Sequence, residues 1–454
     1  LSDNLHNEAR VTASFVRDSR KVPYQGPTIY ITKVPVGTGS RTINLDLGTE
    51  YSSGVNFLDQ DVYTIDDNLS WYRGNHTFTF GTHNEIFNMK NGYIQYANGE
   101  YAYSSLQDFY DNNCATFYYK YSDVDMTGTP QWAAGVKAGQ FGLFAQDKWN
   151  ITDLFTLTYG VRFDMPVMFN SPTTNPEFNN SIYARRNDVE VGRKPNAQIM
   201  ASPRLGFRWY LNESRKTLLR GGTGLFTGRV PFVWLSNCWS NTGMEMKGTT
   251  IYGANFMKLE NWEQNLIDVQ TGKVSGVAGK PDICTVDKSF RYPQAWRTNI
   301  ALEQMLPYGI KMTLEALYSK QYNNVFFENL ALIENGGKVY AVPGVEASAA
   351  TNYGLNTGSY TSIVNLKNTN KGYSYSLSAK FEKSFNFGLD LMAAYTFGHS
   401  KSVNDATSSV AYSNWKGNAS VNSNEQELGY SIFDVPHRIV ASIMYHSKKY
   451  LGGR

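Results

Sequence analysis

The sequence predicts an all-β protein whose strands form an antiparallel transmembrane β-barrel, and three observations carry that prediction. Apolar and polar residues alternate with a period of two along many segments. Short and long links between those segments alternate along the chain. The mean hydropathy is negative although the 454 residues include 31 Tyr, 25 Phe and 9 Trp.

Composition removes the rival classes. The 42 Lys+Arg stand against 39 Asp+Glu, giving a net charge of +3 with both signs mixed along the chain. That balance does not fit a nucleic-acid partner held by phosphate neutralisation. No run of 18 apolar residues occurs, which excludes membrane-spanning helices. Disorder is excluded by 41% hydrophobic residues with abundant aromatics. The first residue is Leu, with no charged and apolar leader before the fold.

Twelve strands are expected, near 9–18, 61–73, 75–86, 137–150, 155–166, 200–211, 216–229, 289–305, 309–324, 369–385, 387–402 and 432–447. The second and third meet at Arg73-Gly74-Asn75-His76, a tight turn. From Phe155, Leu157, Tyr159, Val161 and Phe163 share one face, while Thr156, Thr158, Gly160, Arg162 and Asp164 share the other. Leu205, Phe207, Trp209 and Leu211 repeat the pattern opposite Arg204, Gly206, Arg208 and Tyr210. In 216–229 the run GGTGLFTG lacks the Lys-Ser/Thr of a phosphate loop, so its glycines are read as keeping the inner face of a strand small. Met312, Leu314, Ala316 and Tyr318 mark the ninth strand. Tyr373, Tyr375, Leu377, Ala379 and Phe381 mark the tenth, and Leu389, Leu391, Ala393, Tyr395 and Phe397 the eleventh. Ile439, Ala441, Ile443 and Tyr445 mark the last.

Between strand pairs lie long stretches: 18–60, 87–136, 167–199, 230–288, 325–368 and 403–431. A compact soluble domain seldom tolerates several structureless loops beyond about 15 residues. A bacterial outer-membrane barrel pairs short periplasmic turns with long outer loops, and its strands need only about 9–11 residues to cross. Trp71, Trp149, Trp209, Tyr318, Tyr395 and Tyr445 fall near strand ends, as interfacial girdles require. A large soluble β-sandwich or propeller with a core filled by aromatics is the alternative.

Catalytic patterns are nearly absent. His76 and His83 are read as polar lumen or turn residues, and no G-x-S-x-G elbow occurs. No metal or cofactor site is expected. Asp123-Val124-Asp125-Met126-Thr127-Gly128 has calcium-loop spacing but Ala134 where the closing Glu belongs, so a plain turn is expected, with calcium as the alternative. Cys114, Cys238 and Cys284 show no zinc spacing; a bridge between Cys238 and Cys284 in an oxidising compartment stays open.

The charges opposite the apolar face are more informative: Arg162, Asp164, Arg204, Arg208, Arg297, Glu315, Lys380 and Glu382. Inward charges need water or polar partners, so they imply a polar plug or, as the lesser alternative, an open pore. In PFVWLSNCWSNTG, Trp234, Asn237, Trp239 and Asn241 are candidate ligand contacts at the mouth, or else loop packing.

The segments FGLFAQDKWNITDLFTLTYGVRFD (141–164), SPRLGFRWYL (202–211), LLRGGTGLFTGRVPFVWLSN (218–237), YPQAWRTNIALEQMLPYGIKMTLEALYS (292–319) and GYSYSLSAKFEKSFNFGLDLMAAYTFGHS (372–400) resemble the barrel of TonB-dependent outer-membrane receptors. The run GRVPFVWLSNCWSNTG (228–243) is similar to the Oar-like branch of that family in Bacteroidota-type bacteria. The resemblance implies a barrel of about 22 strands around an N-terminal plug. It also implies partners: outer-membrane lipid, the plug, TonB with its inner-membrane energising proteins, and an unidentified transported ligand. Residues 1–454 are then expected to be the central part of such a barrel, without plug, TonB box or remaining strands, beginning and ending at periplasmic turns. The tail 448–454 reads as an interrupted turn.

The expected function is energised uptake of a scarce or large ligand through a plugged barrel, with no covalent chemistry and no cofactor. A surface barrel serving adhesion or secretion without transport is the alternative.

Overall fold

The protein, described by a computed structural model over residues 3–340, 349–418, 420 and 422–446, is organised around one long antiparallel meander. Its strands are β1 (Leu5–Ser19), β2 (Val55–Arg73), β3 (His76–Ile94), β4 (Ala134–Asn150), β5 (Phe155–Met168) and β6 (Met200–Tyr210). They continue as β7 (Thr217–Thr227), β8 (Gln294–Leu306), β9 (Ile310–Asn329), β10 (Tyr373–Ser384), β11 (Leu389–Ser402) and β12 (His437–Tyr445). Each strand pairs with the next in the chain. Each expected strand range overlaps one of these. The sheet holds 15 strands, because Asp282–Val286, Ser362–Thr369 and Gly429–Tyr430 join it from the long links. The tail 448–454 lies outside the described residues.

Local chemistry explains the turns. β2 and β3 are joined by only Gly74 and Asn75, and Gly74 takes φ +57°, the left-handed region that a two-residue hairpin matching the strand twist requires. Tyr308 and Gly309 both adopt positive φ at the β8–β9 turn.

The two faces separate as the alternation dictates. Phe80, Leu143, Phe163, Leu205, Leu377 and Ile439 are exposed on the apolar face. Its girdle at the short-turn end is built from neighbours: Trp71 stands 5.4 Å from Phe78, His76 stacks on Trp149 at 5.1 Å, and Phe155 meets Trp209 edge-on at 6.0 Å. His76 thus lies on the apolar face, not in the lumen: it pairs with Trp149, the neighbour of Leu157 across β4 and β5. Among the described residues β1 and β12 do not pair, and the sheet is open. Val11 and Ile439, on these edges, are 77% and 79% exposed.

The long links depart most from expectation, because their described residues form strands and helices. Three of them co-fold into one six-stranded sheet, in the order Val277–Ala278, Met246–Tyr252, Thr116–Ser122, Glu100–Tyr103, Thr28–Pro35, Thr42–Gly48. Its core holds Ile31, Tyr101, Tyr103, Phe117 and Met257, with the helix Trp262–Gln270 against it through Val269. Residues Thr28 to Ile31 run parallel to Glu100 to Tyr103, a pairing across 72 positions of chain.

The strands are long enough to serve both zones. β2 and β3 have 19 residues each and β9 has 20, about twice what a membrane crossing needs. Toward the long-link end, the inner face of β3 and β4 changes from Glu85, Gln140 and Gly142 to Phe87, Met89, Val136 and Ala138. The helix α1 (Phe232–Ser240) packs on that apolar stretch: Phe232 meets Phe87 at 4.6 Å, and Asn91 Nδ2 donates to Ser236 Oγ at 2.7 Å. Leu235, Cys238 and Trp239 complete a buried layer with Phe327 and Leu366.

Candidate functional site

The polar face opposite the aromatic girdle forms rows across the sheet. One row runs Gln146, Gly160, Arg204, Gly224, Arg297, Ser319, Ser374 and Ser400, each residue opposite the next. The row places two predicted arginines on either side of a glycine. A Cβ on Gly224 would stand 2.9 Å from the Pro203 carbonyl oxygen and 3.0 Å from Arg204 Cγ, so a larger residue would displace the arginine. Phe226, two residues on and on the same face, receives both guanidinium groups, Arg204 at 4.5 Å and Arg297 at 6.0 Å from the ring centroid. Cations over an aromatic face gain modest attraction, but the ring does not neutralise them. Arg204, Arg297 and Arg438 line one cavity of about 840 Å³, and none of the three has a carboxylate within ion-pair distance among the described residues.

Nearer the short turns, charge is neutralised within the wall. Arg220 Nε lies 2.8 Å from Glu303 and its Nη1 3.4 Å from Glu315; Lys311 adds a 2.9 Å contact to Glu303. Lys380 pairs with Glu382 at 2.9 Å. The predicted Glu315, Lys380 and Glu382 therefore belong to a self-paired ladder. Arg208 turns to its own strand, its Nη2 donating to Tyr210 Oη. Arg220, Glu303 and Lys311 were missed because no residue among them is distinctive without its cross-strand neighbour.

Toward the long links, Arg162 donates through Nε and Nη2 to Asp164, at 2.9 and 2.7 Å. Asp164 is 1% exposed and also accepts from Gln140 Nε2. Gly142 makes room for this pair, since a Cβ there would fall 2.4 Å from Arg162 Nη2. Beside it, His83 Nδ1 lies 2.5 Å from Asp66 and Nε2 3.6 Å from Glu85, which Arg229 also approaches at 3.5 Å. Sequence reasoning placed His83 in the lumen but had no means of joining it to Asp66, 17 residues earlier.

The tryptophan-asparagine motif forms a seam between links. Trp234 Nε1 donates to the Ser408 carbonyl at 2.8 Å. Asn237 donates to the carbonyls of Val233 and Ser409 and accepts from Ala411 N–H. The carbonyl of Asn241 accepts from Cys284 N–H. Trp239 is only 3% exposed, so its ring offers no open stacking face. Trp234 and Asn237 bind the link at 403–431 and Asn241 the strand at 282–286, while Trp239 packs in the buried layer beside them.

Two further groups lie in the outer layer. Asp123 caps a one-turn helix through Asp125 N–H and pairs with Lys247 at 2.8 Å, which holds its carboxyl below the usual carboxylate range. This carboxylate is occupied as a cap and ion-pair partner, the plain-turn role. Glu100, in the six-stranded sheet, is pushed up to about 7 by burial and by the negative charge of Asp46.

Residues 1–453 match a family described as outer membrane beta barrel domain. No curated protein matches the sequence. Among solved structures, the outer membrane transporter YddB from Escherichia coli is similar over 98% of this chain and 47% of its own, at 13% identity and a TM-score of 0.52. The copper transporter OprC is similar over 88% of this chain and 45% of its own, at 10% identity and a TM-score of 0.45. A ferric enterobactin receptor, PfeA, from Pseudomonas aeruginosa is similar over 87% and 41%, at 13% identity and a TM-score of 0.44. The chain spans less than half the length of each, and the likeness to YddB is one of fold.

Proposed function

Because the chain belongs to the outer membrane β-barrel domain family, we propose that it forms part of the barrel of a TonB-dependent receptor importing a scarce or large ligand. Its place is the outer membrane, and the family is one of barrels, not of enzymes.

The observation that carries the transport reading is the arginine row. Arg204 and Arg297 face one cavity with Arg438, and among the described residues none of the three forms an ion pair, since Asp434 on the same cavity is engaged by His399 and the Ser400 N–H; Arg162, Arg220 and Lys380 are neutralised within the sheet. Guanidinium groups on a partly desolvated wall favour an opposing carboxylate. A plug domain inside the barrel supplies such groups in this reading, and the rest of the wall comes from strands elsewhere in the polypeptide. Open strand edges in hydrocarbon leave backbone groups unpaired, which supports further strands beside β1 and β12. The full barrel would have about 22. The run 228–243 supports the finer placement in the Oar-like branch. Residues of the outer layer select the ligand, with Trp234, Asn237, Trp239 and Asn241 holding the layer's shape.

Adhesion without transport is the second reading, favoured by exposed Tyr110, Tyr252 and Phe256 on the outer layer. A growth screen on single limiting nutrients separates the two. Strains carrying the intact gene, its deletion, and a version lacking the TonB-contacting segment are compared. Failure of both altered strains on one nutrient supports import. Unchanged growth on all, with loss of surface attachment, overturns it.

A further inference from the structure

We propose that Cys238 and Cys284 are joined by a disulfide in the mature protein, and that this bond staples α1 to the inner layer at the mouth of the barrel. The two sulfurs lie 3.1 Å apart, and the residues are 1% and 2% exposed. They are 46 positions apart in the chain yet held in register by backbone: Cys284 N–H donates to the Asn241 carbonyl just beyond α1. Cys284 sits in the strand Asp282–Val286, which pairs in parallel with Ser362–Thr369, opposite Val364. A bond here would connect α1, and through Trp234 and Asn237 the link at 403–431, to the strand pair that lies beside the end of β9.

Cys114 is the contrast. It is equally buried at 1%, but its Sγ contacts the carbonyls of Ala102 and Thr116, with no second sulfur at hand. Burial alone therefore does not explain the Cys238–Cys284 contact. An outer-membrane protein reaches its place through an oxidising compartment, where such pairs persist.

The chemistry balances with an oxidised dithiol–disulfide exchange protein as co-reactant. A thiolate of one cysteine attacks the disulfide of that protein, forming a mixed disulfide and releasing one of its sulfurs as thiolate. The second cysteine, deprotonated in turn, attacks the mixed disulfide and the Cys238–Cys284 bond forms. The exchange protein leaves as a dithiol, having gained two electrons and two protons. At 1% and 2% exposure neither sulfur is open to a second protein in the finished layer, so exchange precedes its closure.

The test counts free thiols in the full-length protein taken from outer membranes. It is denatured without reductant, alkylated, digested and read by mass spectrometry at the three cysteine peptides. The expected result is alkylation of Cys114 alone, with a linked Cys238–Cys284 peptide that separates on reduction. Alkylation of all three, or a linkage involving Cys114, overturns the proposal. In the Cys114→Ser variant the linked peptide is retained. If that variant does not fold, the wild-type count still decides.

Discussion

His76 Nδ1 donates to Asp147 Oδ2 over 2.7 Å on the apolar face of the sheet, within the girdle that holds Trp149 and Phe78. Tyr159 Oη donates to the same oxygen at 2.9 Å, and Asp147 is 4% exposed. A carboxylate at the edge of the lipid zone is thus held by two ring donors from adjoining strands. Replacing His76 and Tyr159 together by Phe leaves that carboxylate without a donor, at a cost of about 3–5 kcal/mol. In an Asp147→Leu background the same double change should cost far less, because the charge is gone. Urea unfolding of the refolded full-length barrel, followed by heat-modifiable migration, reads both.

Arg204 and Arg297 should act on whatever fills the lumen rather than on the wall itself. Changing both to Glu is expected to weaken plug docking, at about 1.5–3 kcal/mol for each charge-assisted hydrogen bond lost. The outer membrane then becomes more permeable to a large antibiotic, while barrel stability stays unchanged. Equal permeability in wild type and variant would remove these arginines from plug contact.

Gly224 and Gly135 predict opposite tolerance of a methyl group. At Gly224 the added Cβ meets the Pro203 carbonyl at 2.9 Å, whereas at Gly135 it meets nothing within 4 Å. Gly224→Ala should therefore lose about 1–3 kcal/mol by overpacking. Gly135→Ala should be neutral or slightly stabilising, through reduced unfolded-chain entropy. Denaturant midpoints of the two variants, compared with wild type, test the contrast.

Glu100 makes the outer six-stranded sheet sensitive to pH. Its carboxyl is raised from an ordinary 4.5 to about 7, so the folded sheet binds more protons than the unfolded chain between those values. The stability it contributes is full below about 4.5 and is lost as pH rises through 7. Hydrogen exchange of Glu100–Tyr103 should accelerate from pH 5 to pH 8 beyond the intrinsic rate. The Glu100→Gln variant should flatten that dependence and protect the strand at pH 8.

Much of the meander was legible because each strand announces itself locally. Phe155 to Asp164 and Leu205 to Leu211 alternate strictly, and Gly74 and Gly309 mark turns that only permissive backbones make. The inner charges were legible as a face but not as pairs. Arg162 and Asp164 are two residues apart on one strand, whereas Arg220 finds Glu303 and Glu315 only through the register of β7, β8 and β9. The long links were misread as structureless because their strands are short, aromatic and partnered far away.

The sequence by itself determined the alternation of faces, the order of strands and the sidedness of the short and long links, since a period of two and a two-residue turn are set by neighbouring residues. Tertiary structure alone decided that three links share one sheet, that α1 folds against the inner face, and that Cys238 meets Cys284. Those contacts close long loops, and their entropy is repaid only when several segments bury Tyr101, Phe117, Leu235 and Phe87 together. No single segment carries the signal of a core that exists only in their assembly.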